Sequence, residues 1–153
     1  MGFTFEVSRR LLIRWTYLVT FGHLASGIFL AWGSNASAFD QYHQIILTQS
    51  GNASAAALVL QQLWLSLFGA TLQNLAILMF ILIYVGNKYR DASVWLWMII
   101  GLIIWAPQDI ILSLQINLWL HVWVDVIALI LFIPALIFLW ISDRRYRLKS
   151  RFT

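Results

Sequence analysis

Four side chains able to carry charge fall inside long apolar runs of this sequence: His23, Asp109, His121 and Asp125. An ionisable group is costly inside hydrocarbon, so such residues face protein or water and mark candidate functional sites. His121 and Asp125 are four residues apart and can pair on one helix face, with Asp109 across a short turn at similar depth. Two carboxylates in a low-dielectric setting resist double ionisation, so the set must hold a proton or be matched by an imidazolium. Such a cluster can exchange a proton or orient a small polar solute. His23, His121, Asp109 and Asp125 also offer nitrogen and oxygen ligands to zinc or another divalent metal, though no His-Glu-x-x-His signature accompanies them. Haem ligation by His23 and His121 is a further option, set back by an offset of about 7 Å between their expected depths. The remaining alternative is structural. Asp109, His121 and Asp125 would then join Gln73 and Asn74 in an interhelical network, each contact contributing about 0.6–2 kcal/mol.

These residues belong to longer polar stripes. Thr16, Thr20, His23 and Gly27 follow steps of three and four, as do Gln62, Ser66, Gly69 and Gln73, with Asn74 adjacent. Trp105, Asp109 and Ser113 form a third series, and Asn117, His121, Asp125 and Ala128 a fourth. Each series lies on one helical face, and the stripes are expected to converge inside a bundle. Asp125 and His23 should lie about 12 and 13 Å from the outer ends of their helices at the usual helical rise. The site residues expected on this basis are His23, Gln73, Asn74, Trp105, Asp109, His121 and Asp125. Pro107 and Pro134 are expected hinges, because each removes a backbone donor and crowds the carbonyl four residues earlier, at Ile103 and Ile130. Those freed carbonyls are expected to face the bundle or a watery cavity.

The elements that must position the stripes are legible from hydropathy. The 153 residues are 61% hydrophobic and only 10% charged, outside the range of a soluble domain. Spans are expected at about 11–32, 55–85, 93–114 and 117–142, each long enough to cross a hydrocarbon core of about 20 residues. The second, at about 46 Å of helical rise, must tilt or project. Gly86-Asn87 reads as its stop, and Asn117 as the cap of the fourth span. In the loop at 33–54, Phe39, Tyr42 and Ile46 recur at helical spacing, which predicts a short interfacial helix with Asp40 and His43 on its wetter face. All ten Lys and Arg residues lie before or in the first turn of the first span, between the second and third, or after the fourth. Basic residues stay on the cytoplasmic side. The fold expected is therefore an all-α integral membrane protein, a single domain of four transmembrane helices in an up-down bundle, with both termini cytoplasmic. Trp15, Trp95, Trp97 and Trp140 would mark the inner headgroups, and Trp32, Trp64, Trp119 and Trp123 the outer ones.

Several functions are disfavoured. The net charge of +4 is confined to one side and no groove-reading motif accompanies it, so nucleic acid is not an expected partner. With no Cys there is no thiol chemistry. Gly-x-Ser-x-Gly, phosphate-loop and dinucleotide signatures are absent, so a non-enzymatic role is expected. The first apolar run is too long for a cleaved signal, and Glu6 stands where a myristoylation site wants Ser or Thr. The sequons at Asn35 and Asn52 read as chance matches. The expected protein is a multi-pass protein of the inner (plasma) membrane whose outward polar pocket binds a small solute, a proton or a partner segment. The rival readings are an accessory subunit of a membrane complex, an immunity-type protein that neutralises a membrane-active toxin, and a haem- or metal-binding redox subunit. The lipid bilayer is the expected partner in every case, with other membrane subunits or a second copy of the chain as further candidates.

Overall fold

The computed structural model describes residues 2–51 and 54–150, and the side chains of 6–51 and 54–148. Among the described residues there is no strand. Five α-helices follow in order: α1 (Gly2–Gly33), α2 (Asp40–Gln49), α3 (Ala55–Tyr89), α4 (Ala92–Gln115) and α5 (Trp119–Ser150). A single 3-10 turn at Ser37–Phe39 precedes α2. The sequon at Asn52 lies outside the described residues.

Three helical stretches are long and apolar enough to cross a membrane: Ala55–Tyr89, Ala92–Gln115 and Trp119–Leu148. The chain is a helical membrane protein on that ground. α1 is 32 residues long but is not among the three, because Arg14, Thr16, Thr20 and His23 interrupt its apolar run. Three strongly apolar helices and one more polar helix therefore cover the four expected spans.

The helix ends correct several expected boundaries. α1 begins well before residue 11, and its first turns carry Glu6 and Arg9 to partners on other elements. α3 continues past Gly86, where a stop was expected. Gly86 instead packs beneath Trp95, and a Cβ there would lie 2.7 Å from the indole ring. The helix ends at Tyr89 with Arg90 in the left-handed region (φ 48°, ψ 45°), and Asp91 N–H donates to the Gly86 carbonyl at 3.1 Å. This terminator usually employs glycine. The same device ends α4. Asn117 has φ 52°, and Leu118 N–H donates to the Ser113 carbonyl at 2.8 Å. Asn117 thus terminates α4 and does not cap α5, since an amide side chain tolerates left-handed backbone better than most. Asp91 and Ser54 cap the starts of α4 and α3, accepting from Ser93 N–H at 2.9 Å and Ala57 N–H at 3.2 Å.

α1 packs chiefly on α3, and α4 on α5, while α1 also meets α5 and α3 meets α4, so the four long helices close into a ring. Its core joins Ile13, Val19, Met79, Ile83, Trp95, Met98, Ile99, Phe132, Leu136 and Leu139. Trp95 is fully buried there, which removes it from the expected interfacial belt. α1 and α3 approach closely at Gly27 and Gly69. A Cβ on Gly69 would meet the Gly27 carbonyl at 2.7 Å and the Ala31 backbone nitrogen as well. Small residues permit such backbone contact between membrane helices. Gly69→Ala should therefore destabilise the fold by about 1–3 kcal/mol, as overpacking does. Gly101→Ala, whose new Cβ meets nothing within 4 Å, should melt like the parent in detergent.

Candidate functional site

The end of the bundle beneath α2 gathers the expected ionisable residues only in part. Asp125 on α5 is buried, with 4% of its surface exposed, and its Oδ2 has no hydrogen-bond partner among the described residues. Asp109 on α4 is half-buried, near the α4–α5 turn. His121 meets Tyr42, which the sequence marked as part of the loop helix and not as a site residue. Its Nε2 lies 3.0 Å from the Tyr42 hydroxyl, and the two rings stack with centroids 5.7 Å apart. Burial pushes the Tyr42 phenol above its ordinary pKa, so it stays protonated and able to donate.

Tyr42 reaches His121 because α2 folds back over the bundle. The Asp40–Gln49 helix matches the spacing of Phe39, Tyr42 and Ile46, but its inner face differs from the one expected. His43 and Leu47 are the buried residues, so His43 does not share the wet face with exposed Asp40. His43 Nε2 bonds the Ser34 carbonyl at 2.8 Å, and Ser34 Oγ meets Ser66 Oγ at 2.7 Å. Gln49 Nε2 donates to the Asn117 carbonyl at 3.3 Å, tying α2 to the α4–α5 turn.

One feature separates this end from the rest of the molecule. Among the described residues, every buried side-chain polar atom lacking a partner belongs to it: His43 Nδ1, Gln61 Nε2 and Oε1, and Asp125 Oδ2. A buried group left unpaired costs about 1–3 kcal/mol. Four such atoms at one end of a helical bundle point to bound water, a proton or a ligand.

Other expected site residues lie elsewhere. His23 Nδ1 bonds the Val19 carbonyl of its own helix at 3.0 Å, and its ring packs edge-on against Phe132 at 5.3 Å. Phe132 lies two turns beyond Asp125, so His23 sits about 10 Å deeper than the Asp125 level, not beside it. Thr16 and Thr20 are fully buried, yet their hydroxyls bond the carbonyls of Ile13 and Thr16 in α1 itself. Gln73 donates to the Gly27 carbonyl at 3.2 Å and serves the α1–α3 crossing. Asn74 and Trp105 are exposed. No group of three or more His, Asp or Glu among the described residues is placed to hold a metal ion.

Pro107 and Pro134 face one another across an apolar groove of about 430 Å³ between α4 and α5, with Ile103 and Ile130 also in its wall. The compensation for the lost backbone donors sits one residue later than expected. Gln108 Nε2 donates to the Ile104 carbonyl and Trp15 Nε1 to the Leu131 carbonyl, each at 2.8 Å. Both carbonyls are three residues before a proline, next to those of Ile103 and Ile130.

A second polar centre, at the opposite and basic end, was not foreseen. Arg9 Nε donates to Asp143 Oδ1 at 2.8 Å and Arg9 Nη2 to Asp143 Oδ2 at 3.0 Å. Trp95 Nε1 also donates to Oδ2 at 2.9 Å, and Arg9 Nη1 to Asn87 Oδ1 at 2.9 Å. Arg9 and Asp143 are 4% and 0% exposed, so the pair is desolvated and fully satisfied. Outside it, Arg90 pairs with Glu6 at 2.6 Å and holds that carboxyl below its usual range. Asp91 is held low by hydrogen bonds from Ser93 and by Arg147, 2.8 Å away. The signal in the sequence was Asp143 itself, an acid set against Arg144, Arg145 and Arg147.

Asp143→Asn or Arg9→Gln should each lower stability by about 3–5 kcal/mol in thermal unfolding, because each strands a buried partner. The paired change Arg9→Met with Asp143→Leu should recover much of that loss. No known protein family, characterised protein or solved structure matches this chain.

Proposed function

We propose that the protein spans the inner membrane four times, through α1, α3, α4 and α5, with both termini in the cytoplasm and α2 outside. Support comes from the three apolar helices, the ring of four, and the confinement of every Lys and Arg to one end. The chain has no cysteine, so single-cysteine labelling tests this directly. Ser37→Cys should react with an impermeant maleimide in intact cells, and Lys88→Cys only after permeabilisation. The reverse pattern would invert the topology.

Within that frame, the cluster of Asp109, His121, Asp125 and Tyr42 binds a proton or a small cationic solute from the outer side. The observation carrying this reading is the buried, unpartnered Asp125 Oδ2. Among the described residues no Lys or Arg pairs with Asp109 or Asp125, which leaves an imidazolium as the protein cation able to balance them. The natural complement of Asp125 is a proton or a positively charged donor. Tyr42, stacked on His121 and carried by α2, would place the loop helix as a cover that admits the ligand when it lifts. Tryptophan fluorescence should report binding, since Trp119 and Trp123 flank the cluster on α5. In titrations of detergent-purified protein with protons, sodium or small alkylammonium ions, at least one should give a saturable change. Asp125→Asn and Asp109→Asn should each weaken that response about ten-fold or more, as loss of a buried charge contact does, while exposed Asp40→Asn keeps it. A parental response in both buried variants would overturn the reading.

A further inference from the structure

We propose that the cleft formed by Trp140, Ile141, Arg144, Arg145 and Leu148 on α5 binds the phosphodiester headgroup of an anionic phospholipid. The inference rests on the chain lying in a membrane and is independent of the cluster beneath α2.

The charge balance of the basic end leads to it. Three carboxylates lie there, and each is taken: Asp143 by Arg9, Glu6 by Arg90 and Asp91 by Arg147. Arg144 and Arg145 have no ion pair among the described residues, and both are exposed. They are adjacent in sequence and border one cleft of about 250 Å³. Among the described residues no carboxylate lines that cleft.

The walls distinguish a lipid from a free anion. The Arg144 guanidinium stands 5.6 Å from the centre of the Trp140 ring, which restrains it by a cation–π contact and leaves its donor edge to a ligand. Trp140, Arg144 and Leu148 follow at steps of four on one face of α5. The arginine pair is therefore bracketed by an indole on one side and by Leu148, half exposed, on the other. Planar guanidinium forks match phosphate oxygens in pairs, and indole rings favour the headgroup level of a bilayer. Phosphate between the arginines, with glycerol and acyl carbons running toward the membrane along Trp140 and Ile141, matches the polar and apolar walls of the cleft.

The test uses the full chain in neutral detergent. Phosphatidylglycerol, phosphatidylcholine and inorganic phosphate are titrated separately, with bound lipid counted by native mass spectrometry and stability followed by thermal melting. Saturable binding and a raised melting temperature are expected with phosphatidylglycerol alone. The double variant Arg144→Gln, Arg145→Gln should raise its half-saturating concentration about ten-fold or more, given the usual attraction of a basic residue to anionic lipid. Arg10→Gln with Arg14→Gln should leave it within about two-fold, because those arginines lie outside the cleft. Equal binding of phosphatidylcholine would overturn the proposal, as would an equal effect of inorganic phosphate. Equal losses in the two double variants would also overturn it, in favour of diffuse attraction to the whole basic end. Counting bound lipid measures occupancy separately from any change in the stability of the variants.

Discussion

The buried pair of Arg9 and Asp143 is the contact on which the arrangement of the long helices depends. It joins α1 to α5, and Asn87 and Trp95 bring α3 and α4 into the same cluster. Two charges removed from water are costly unless their remaining hydrogen-bonding capacity is met, and here both carboxylate oxygens accept while the guanidinium donates on two edges. What such a cluster contributes is register. If α5 were rotated by a quarter turn, Asp143 would leave Arg9 unpaired in an apolar core. The Gly27–Gly69 contact adds a second constraint, setting how closely α1 and α3 approach. Together they decide which faces of the long helices look inward.

The two ends of the molecule are built on opposite terms. At the basic end buried polar atoms are partnered and the acidic residues are spoken for. Beneath α2 the bundle holds an unpartnered carboxylate oxygen, an unpartnered imidazole nitrogen and a whole carboxamide without a partner. Strain of that kind persists where something else supplies the missing contacts. The proposed ligand site draws on this contrast between a satisfied basic end and an unsatisfied opposite one. The short helix α2 is bound to this end by only a few polar contacts, through Tyr42, His43 and Gln49.

Legibility from sequence followed the range of the interaction. Helix α2 was readable because Phe39, Tyr42 and Ile46 follow local periodicity, yet its inward face was misassigned. His43 is inside because Ser34 offers it a carbonyl, a fact of tertiary placement. Of the expected site residues, Asp109, His121 and Asp125 all lie near the tight turn that joins α4 and α5. His23, Gln73 and Asn74 were grouped with them by counting depth from helix ends. His23 and Gln73 instead spend their polar atoms on the backbone of α1, and Asn74 is exposed.

The sequence by itself determined the membrane character, the helical segmentation and the single basic end, because hydropathy and charge position are properties of a chain read one segment at a time. Only the tertiary structure decided which polar groups meet. Arg9 and Asp143 are 134 residues apart, and Tyr42 and His121 are 79 apart. Nothing in the local pattern selects such pairs, since they follow from helix rotation and crossing, which every packed contact sets at once.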